Sequence, residues 1–111
     1  DEFLSSINLI LPNVIAVGTK GGNIILWNLQ KLEKIATLKG HEDSVLKIIK
    51  YEPGYILTSS ADSSIKLWNY DKKVLVSTHL SHTKSVSCLM LLGDKRVFSG
   101  SDDGTVKIWN S

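Results

Sequence analysis

The stretch SGSDDGTVKIWN, from Ser99 to Asn110, joins two adjacent carboxylates, a glycine and several hydroxyl groups to a short apolar run that ends in Trp-Asn. Taken alone, it fits a cation-binding loop, part of a catalytic site or a tight turn between strands. The same pattern occurs twice more without gaps, as VGTKGGNIILWN at Val17–Asn28 and as TSSADSSIKLWN at Thr58–Asn69. The tryptophans of the three copies lie 41 residues apart in both intervals. An internal repeat therefore governs the whole chain.

A second pair of anchors lies upstream of the repeated tryptophans. The histidines of GHEDSVLKI and SHTKSVSCL, His41 and His82, precede Trp68 and Trp109 respectively by the same 27 residues. The copies differ at most other positions. An equal spacing between matched anchors therefore indicates a common structural unit.

Each period contains four short runs typical of strands. In the second copy these are SVLKIIKY, YILTSS, SIKLWNY and KKVLVSTHL, and turn residues such as EPG and AD separate them. None shows an apolar stripe with a helical period of 3.6 residues. A period of about 40–45 residues with four strands is typical of a β-propeller blade.

These residues resemble the WD40 repeat family, whose pattern is Gly-His, an apolar strand, a Ser/Thr-rich strand, an Asp-containing turn and a closing Trp-Asp. Some positions depart from it: the closing pair is Trp-Asn in all copies, and the third copy begins with Ser81. The first copy has no histidine and carries Gly21 where the others have Asp62 and Asp103. We therefore expect the first blade to lack the internal polar network of the family.

The resemblance predicts an all-β fold of three consecutive WD40-type blades, with eleven antiparallel strands and no outer strand in the last blade. We expect a single partial propeller over residues 1–111, with blades at 1–39, 40–80 and 81–111. Because a ring requires about four to eight blades, two apolar flanks would remain uncovered. We expect the chain to be a fragment of a longer propeller, or to complete a ring with other copies.

The cation interpretation of the opening stretch is disfavoured by the other copies. The position before the turn aspartate is occupied by Lys20, Ala61 and Asp102 in turn, and cation loops need several oxygen ligands at fixed intervals. Asp-Gly is a strong hairpin signal, so we interpret the stretch as a structural turn. We expect no metal site and no cofactor, and we interpret His79 as a strand-end residue rather than a ligand.

The catalytic interpretation fails because the same residue types occur in two blades. The resemblance implies a hydrogen-bonded network inside each blade, and strand alternation leaves the choice between two hydroxyl groups open. In the second blade the network would join His41, Thr58 or Ser60, Asp62 and Trp68. In the third it would join His82, Ser99 or Ser101, Asp103 and Trp109.

Composition narrows the classes of partner. The net charge is +2, and Arg96 is the single arginine among thirteen basic residues. Base and phosphate recognition favours arginine, so nucleic acid binding is disfavoured. No apolar run approaches the ~18 residues of a membrane span.

We interpret Cys88 as a buried, inert thiol in an apolar strand. Aromatic residues at strand positions are interpreted as packing groups, namely Phe3, Tyr51, Tyr55 and Phe98.

WD40 propellers are mostly non-enzymatic platforms for partner proteins, which bind the face that carries the Gly-His loops and the Asp turns. The resemblance thus predicts an intracellular interaction scaffold, or more narrowly a recognition or adaptor part of a ubiquitin ligase or kinase complex. The alternative is a propeller that binds nucleic acid or phosphoinositide. The candidate partner-binding residues are Phe3, Ser5, Lys20, Ser44, Leu46, Ala61, Ser85, Ser87 and Asp102.

Overall fold

The computed structural model describes residues 3–80, 82–93 and 96–110, without the side chains of residues 109 and 110. Within these ranges the regular structure consists of eleven strands and no helix. The strands are β1 (Leu4–Leu11), β2 (Val14–Thr19), β3 (Asn23–Asn28), β4 (Glu33–Lys39), β5 (Val45–Glu52), β6 (Tyr55–Ser60), β7 (Ile65–Asn69), β8 (Val74–His79), β9 (Val86–Leu91), β10 (Arg96–Ser101) and β11 (Val106–Asn110).

The strands form three separate antiparallel sheets in chain order. The first contains β1-β2-β3-β4, the second β5-β6-β7-β8 and the third β9-β10-β11. The predicted all-β class and the division into four, four and three strands are confirmed over the described residues. The register repeats as well: a bulge against the outer strand lies between Leu26 and Trp27 in the first sheet and between Leu67 and Trp68 in the second.

Turn chemistry fixes the hairpin between β5 and β6. Pro53 and Gly54 occupy its two central positions, and Gly54 has a φ of +93°, which glycine adopts without steric cost. The Gly54 carbonyl accepts the N–H of Tyr70 at 2.9 Å, and its own N–H donates to the Tyr70 hydroxyl at 3.1 Å. Tyr70 thereby holds this turn against the end of β7.

The first sheet packs on the second through a shared apolar core that includes Ile24, Leu26, Val45, Ile48 and Trp68. Burial of such side chains is the main favourable term in folding, at roughly 25 cal/mol per Å² of apolar surface. A smaller cluster joins the second sheet to the third; it consists of Leu57, Ile65, Val86, Leu89 and Val97. The middle sheet is therefore covered on both faces.

Polar groups also connect the inner strands of the first two sheets. The hydroxyls of Ser5 and Ser6 donate to the Val45 carbonyl at 2.6 and 2.9 Å, and the Asn8 amide donates to the Ile48 carbonyl at 2.7 Å. The sheets approach so closely that a Cβ on Gly18 would lie 2.8 Å from the Val45 side chain. This close approach requires glycine at position 18.

The outward flanks of the first and third sheets are apolar and uncovered. On the first sheet a groove of about 550 Å³ is lined by residues including Ile7 and Trp27, and Ile7 is 66% exposed. On the third sheet Val106 and Ile108 are 71% and 59% exposed. The described sheets do not close into a ring. None of the described residues forms a helix that could span a membrane.

Two expectations about side-chain burial are wrong. Cys88 is exposed because a bulge between Val86 and Cys88 interrupts the alternation along β9, so that Val86 and Leu89 both pack toward the second sheet and Cys88 does not. Phe3 is 77% exposed, since it precedes β1 at the margin of the first sheet. Its ring lies 5.8 Å from the Lys20 ammonium, a cation–π contact rather than core packing.

Candidate functional site

A chain of hydrogen bonds crosses the second sheet and ends at its β6–β7 turn. The indole N–H of Trp68 donates to the Thr58 hydroxyl at 2.8 Å, and that oxygen lies 2.7 Å from Nε2 of His41. Nδ1 of His41 lies 2.9 Å from Oδ2 of Asp62. The side chain of His41 is fully buried. Residues from β6, β7, the β4–β5 loop and the β6–β7 turn therefore meet at one point.

The direction of these bonds defines the protonation state of His41. Thr58 accepts from Trp68, so its single hydroxyl proton is free to reach Nε2, and the Nδ1 proton is directed to Asp62. A neutral imidazole satisfies every bond in this order. Burial lowers the pKa of His41 below its usual 6.5 and outweighs the hydrogen bond and charge of Asp62, which act to raise it.

Asp62 fastens the β4–β5 loop to the β6–β7 turn. Its Oδ2 accepts the Glu42 N–H at 2.9 Å, and its Oδ1 accepts the N–H of Ser64 at 2.9 Å together with the Ser64 hydroxyl proton. Partial burial acts to raise the pKa of Asp62, but hydrogen bonds from Ser64, Glu42 and His41 together lower it to about 2. The carboxylate is therefore an ionised anchor at neutral pH.

The third sheet repeats the arrangement with a serine at the centre. Nε2 of His82 lies 2.8 Å from the Ser99 hydroxyl, and its Nδ1 lies 3.2 Å from Oδ2 of Asp103. Hydrogen bonds from the Thr105 hydroxyl and the Thr83 N–H lower the pKa of Asp103 well below its usual value. The side chain of Trp109, the expected fourth member, lies outside the described part of the chain.

The structure separates the two hydroxyl groups that the sequence left as alternatives in each blade. Thr58 and Ser99 contact the histidines, whereas Ser60 and Ser101 each accept the N–H of the turn aspartate at 3.1 Å. Ser60 also donates to the Asp43 carbonyl at 3.1 Å. The second hydroxyl therefore ties the turn to the preceding loop.

Sequence reasoning missed two members of the networks, Ser64 and Thr105. Their hydroxyls lie 3.1 and 3.2 Å from Nδ1 of His41 and His82 respectively, and each also donates to the turn aspartate. The available signal was a hydroxyl residue two positions after the aspartate in both copies. Such residues close a local turn around a carboxylate.

Among the described residues of the first sheet no histidine–aspartate network is formed, because Val17 and Gly21 occupy the positions of Thr58 and Asp62. The Thr19 hydroxyl instead accepts the Asn23 N–H at 3.1 Å, which closes the turn locally.

The candidate partner-binding residues are brought together in equivalent pairs. Backbone hydrogen bonds of 2.8, 2.9 and 3.0 Å join Lys20 to Phe3, Ala61 to Ser44 and Asp102 to Ser85, with the first residue of each pair as donor. All six lie at the end of the sheets that carries the Asp turns. We call this end the loop face, defined by these three pairs. The Ser44 hydroxyl also donates to the Lys20 carbonyl at 3.3 Å and so connects two neighbouring sheets.

The remaining candidates have different surroundings. Ser5 donates its hydroxyl to the Val45 carbonyl and therefore contributes to packing between sheets. Leu46 is half-buried in β5, whereas Ser87 is exposed on β9 next to Cys88.

The buried constellation offers no accessible catalytic base. Both ring nitrogens of His41 are engaged by neighbouring side chains, and no part of this side chain is exposed. In the described ranges no three His, Cys, Asp or Glu side chains are placed to hold a metal ion. The geometry is that of a structural network which fixes loops.

The family model described as "WD domain, G-beta repeat" matches residues 32–69 and 73–110, more than half of the chain. The chain belongs to the WD40 family. Each match begins near an outer strand and ends at a Trp-Asn pair, as expected if the WD40 sequence repeat starts in the preceding blade. The first copy, which lacks the histidine and the aspartate, lies outside both matches, although it forms a sheet of the same topology.

Solved structures share the WD40 fold over nearly the whole chain. The WD40 β-propeller domain of Doa1 has a TM-score of 0.90 at 25% identity, covering 97% of this chain and 37% of that chain. The computationally designed Ika4 protein has a TM-score of 0.84 at 25% identity, covering 96% and 65%. A chain of the Mitotic Checkpoint Complex has a TM-score of 0.88 at 19% identity, covering 98% and 34%.

This WD40 chain thus spans between a third and two thirds of the length of these structural neighbours. None of the curated proteins compared with it matches its sequence.

Replacing His41 by alanine should lower the free energy of unfolding by about 1–3 kcal/mol, because Thr58 and Asp62 would lose a buried partner. Chemical denaturation measures this change. His79→Ala is the control, since His79 lies outside the network at the end of β8. An unchanged stability of His41→Ala would contradict the assigned role.

Acidification should weaken the fold through the same histidine. Because the folded-state pKa of His41 is lowered, the unfolded state binds more protons between that pKa and 6.5. The contribution of His41 to the free energy of unfolding should therefore be smaller at pH 5.5 than at pH 7.5, by at most about 1.4 kcal/mol. Asp62 remains ionised throughout this window.

Denaturation curves of the wild type and of His41→Gln at both pH values test this effect. The wild type should lose more stability than the variant, because the other titrating groups are common to both. An equal pH dependence in the two proteins would refute the neutral, buried histidine.

Proposed function

We propose that this WD40 chain is a non-enzymatic interaction scaffold that binds partner proteins or peptides through the loop face. One observation supports this most directly. Three equivalent pairs of residues, Phe3–Lys20, Ser44–Ala61 and Ser85–Asp102, are held by backbone hydrogen bonds at the same end of successive sheets. Their side chains are thus offered from a rigid frame, which reduces the ordering cost of binding.

The loop face differs in charge from one sheet to the next. At the equivalent turn position, exposed Lys20 stands on the first sheet, half-buried Ala61 on the second and exposed Asp102 on the third. A partner with an acidic group near the first sheet and a basic group near the third would complement this order. Charge complementarity of this kind sets the orientation and selectivity of a partner more than its affinity.

A non-enzymatic role is consistent with the WD40 family, whose propellers generally act as interaction scaffolds. The buried networks of the second and third sheets support loop positioning rather than chemistry, because their histidines are enclosed. The uncovered flanks have the apolar character that a further blade, from the same chain or a second copy, would cover.

A narrower proposal is that the chain is the recognition or adaptor part of a larger intracellular complex, such as a ubiquitin ligase or a kinase assembly. In this proposal the catalytic part belongs to another protein or domain. One structural neighbour belongs to a multiprotein assembly, the Mitotic Checkpoint Complex, which supports this direction at the level of the fold.

Substitution of the loop face by arginine tests the proposal. Ser44→Arg and Ser85→Arg place a bulky cation beside the turns of the second and third sheets. Each variant should therefore capture at least tenfold less of the partner proteins than the wild type captures. Gln30→Arg is the matched control, because it adds the same charge in the exposed β3–β4 turn at the opposite end of the strands. Equal capture by all the variants and the wild type would exclude the loop face as the binding surface.

A further inference from the structure

Apolar side chains line the outer edge of the second sheet. Val74, Leu75 and Val76 lie on β8, which is the last strand in the order β5-β6-β7-β8, and Leu80 follows this strand. Their exposed fractions range from 41% for Leu75 to 74% for Leu80. We call these four residues the edge strip. Adjoining apolar residues that remain exposed mark a surface for a partner.

The first sheet carries charged residues at the same place. The residues 41 positions earlier are Glu33, Lys34, Ile35 and Lys39 on β4, and all four are exposed too. The outer edge is therefore exposed even where the next sheet is present, and both strands carry the same bulge. Charged side chains protect an edge strand from pairing with another chain. β4 has three of them, whereas β8 has no Lys, Arg, Asp or Glu and lacks this protection.

The backbone of β8 is open on its outer side. Among the described strands β8 pairs with β7 alone, so alternate N–H and C=O groups point away from the sheet. A lipid surface would leave these groups without hydrogen-bond partners, whereas an added strand would satisfy them. The edge therefore favours an extended peptide segment over a membrane.

Two cations stand at one end of the edge strip. Lys72 and Lys73 directly precede β8 and are exposed, and in the described part of the chain neither ammonium forms an ion pair. The carboxylate of Asp71 is turned toward the β5–β6 hairpin, where it lies 3.2 Å from the position of a Cβ on Gly54. Charge complementarity thus favours an occupant with acidic residues at the matching end.

We propose that the edge strip binds an extended segment of a partner protein as a fifth strand of the second sheet. Apolar residues of the segment contact the strip, and acidic residues lie beside Lys72 and Lys73. All the described strand pairs are antiparallel, and antiparallel pairing with β8 places the C-terminal end of the segment next to the two lysines.

The edge strip is separate from the loop face. β8 lies three strand spacings, or about 14 Å, from β5, the strand that Ser44 precedes. A partner could therefore occupy the strip without contacting the loop face, and the two proposals can fail independently.

Fluorescence anisotropy on the purified chain tests the proposal with a labelled peptide of about eight residues. The peptide alternates threonine and valine, ends in two glutamates and is blocked at both termini, so the glutamates carry its only charges. The wild type should bind it. A peptide that ends in two lysines should bind at least fivefold more weakly, because it places cations beside Lys72 and Lys73. A peptide that begins with the two glutamates should also bind more weakly, since its acidic end would lie at the wrong end of β8.

The double variant Val74→Glu/Leu75→Lys gives β8 the residues that β4 carries and adds no net charge. It should bind the glutamate-ended peptide at least tenfold more weakly than the wild type. Lys72→Gln/Lys73→Asn should bind the glutamate-ended and lysine-ended peptides within about twofold of each other. Asparagine tolerates the φ of +60° at position 73, so this second variant should keep the melting temperature of the wild type.

Two control variants exclude the other surfaces. Ile108→Lys alters the uncovered flank of the third sheet and Ser44→Arg alters the loop face, and both should bind the peptide like the wild type. Loss of binding in either would overturn the proposal. So would absence of binding to the wild type, equal binding of the three peptides, or unchanged binding by the folded Val74→Glu/Leu75→Lys variant.

Other occupants of the strip give different results. Sedimentation velocity would assign the strip to a second copy if the wild type is a dimer that Val74→Glu/Leu75→Lys dissociates. Cosedimentation with phosphatidylserine vesicles would assign it to a membrane if the wild type binds and the same variant does not. Either result would overturn the proposal.

Discussion

The Thr58 hydroxyl lies between an indole N–H and an imidazole nitrogen, and the order of the second sheet depends on this contact. It joins the third strand of the sheet, through Trp68, to His41 in the loop before the first strand. Asp62 extends the connection to the following turn. Burying a polar group without a hydrogen-bond partner costs free energy. The network therefore stabilises the folded state only when every member is paired, and an incomplete network destabilises it. It thus specifies one arrangement of loops among the many that apolar packing alone would tolerate.

This constraint links the core to the proposed binding surfaces. The aspartate that closes the network also shapes the turn beside Ala61 on the loop face. The opposite end of the sheet is organised differently, by the contacts of Tyr70 with Gly54. The repeated network accounts for what the copies share, whereas the charges of the loop face lie where the copies differ. Selectivity among partners would depend on these differences, since shared residues present the same chemistry on each sheet.

Much of the fold could be predicted from the sequence because the chain repeats. The interval of 41 residues between tryptophans shows which positions are equivalent, so the strands identified in one copy locate the strands of the others. Strand alternation could not distinguish Thr58 from Ser60, which face the same side and differ only in their neighbours. Cys88 was misjudged because its apolar surroundings in sequence do not reveal which face of β9 lacks a covering sheet.

A double-mutant cycle between Thr58 and Trp68 tests the central claim most directly. Thr58→Val, Trp68→Phe and the double variant are compared with the wild type by chemical denaturation, so that the packing loss at each position cancels. If the hydroxyl and the indole act as one unit, the coupling energy should be about 0.5–3 kcal/mol. Additive effects of the two substitutions, with a coupling near zero, would contradict the account.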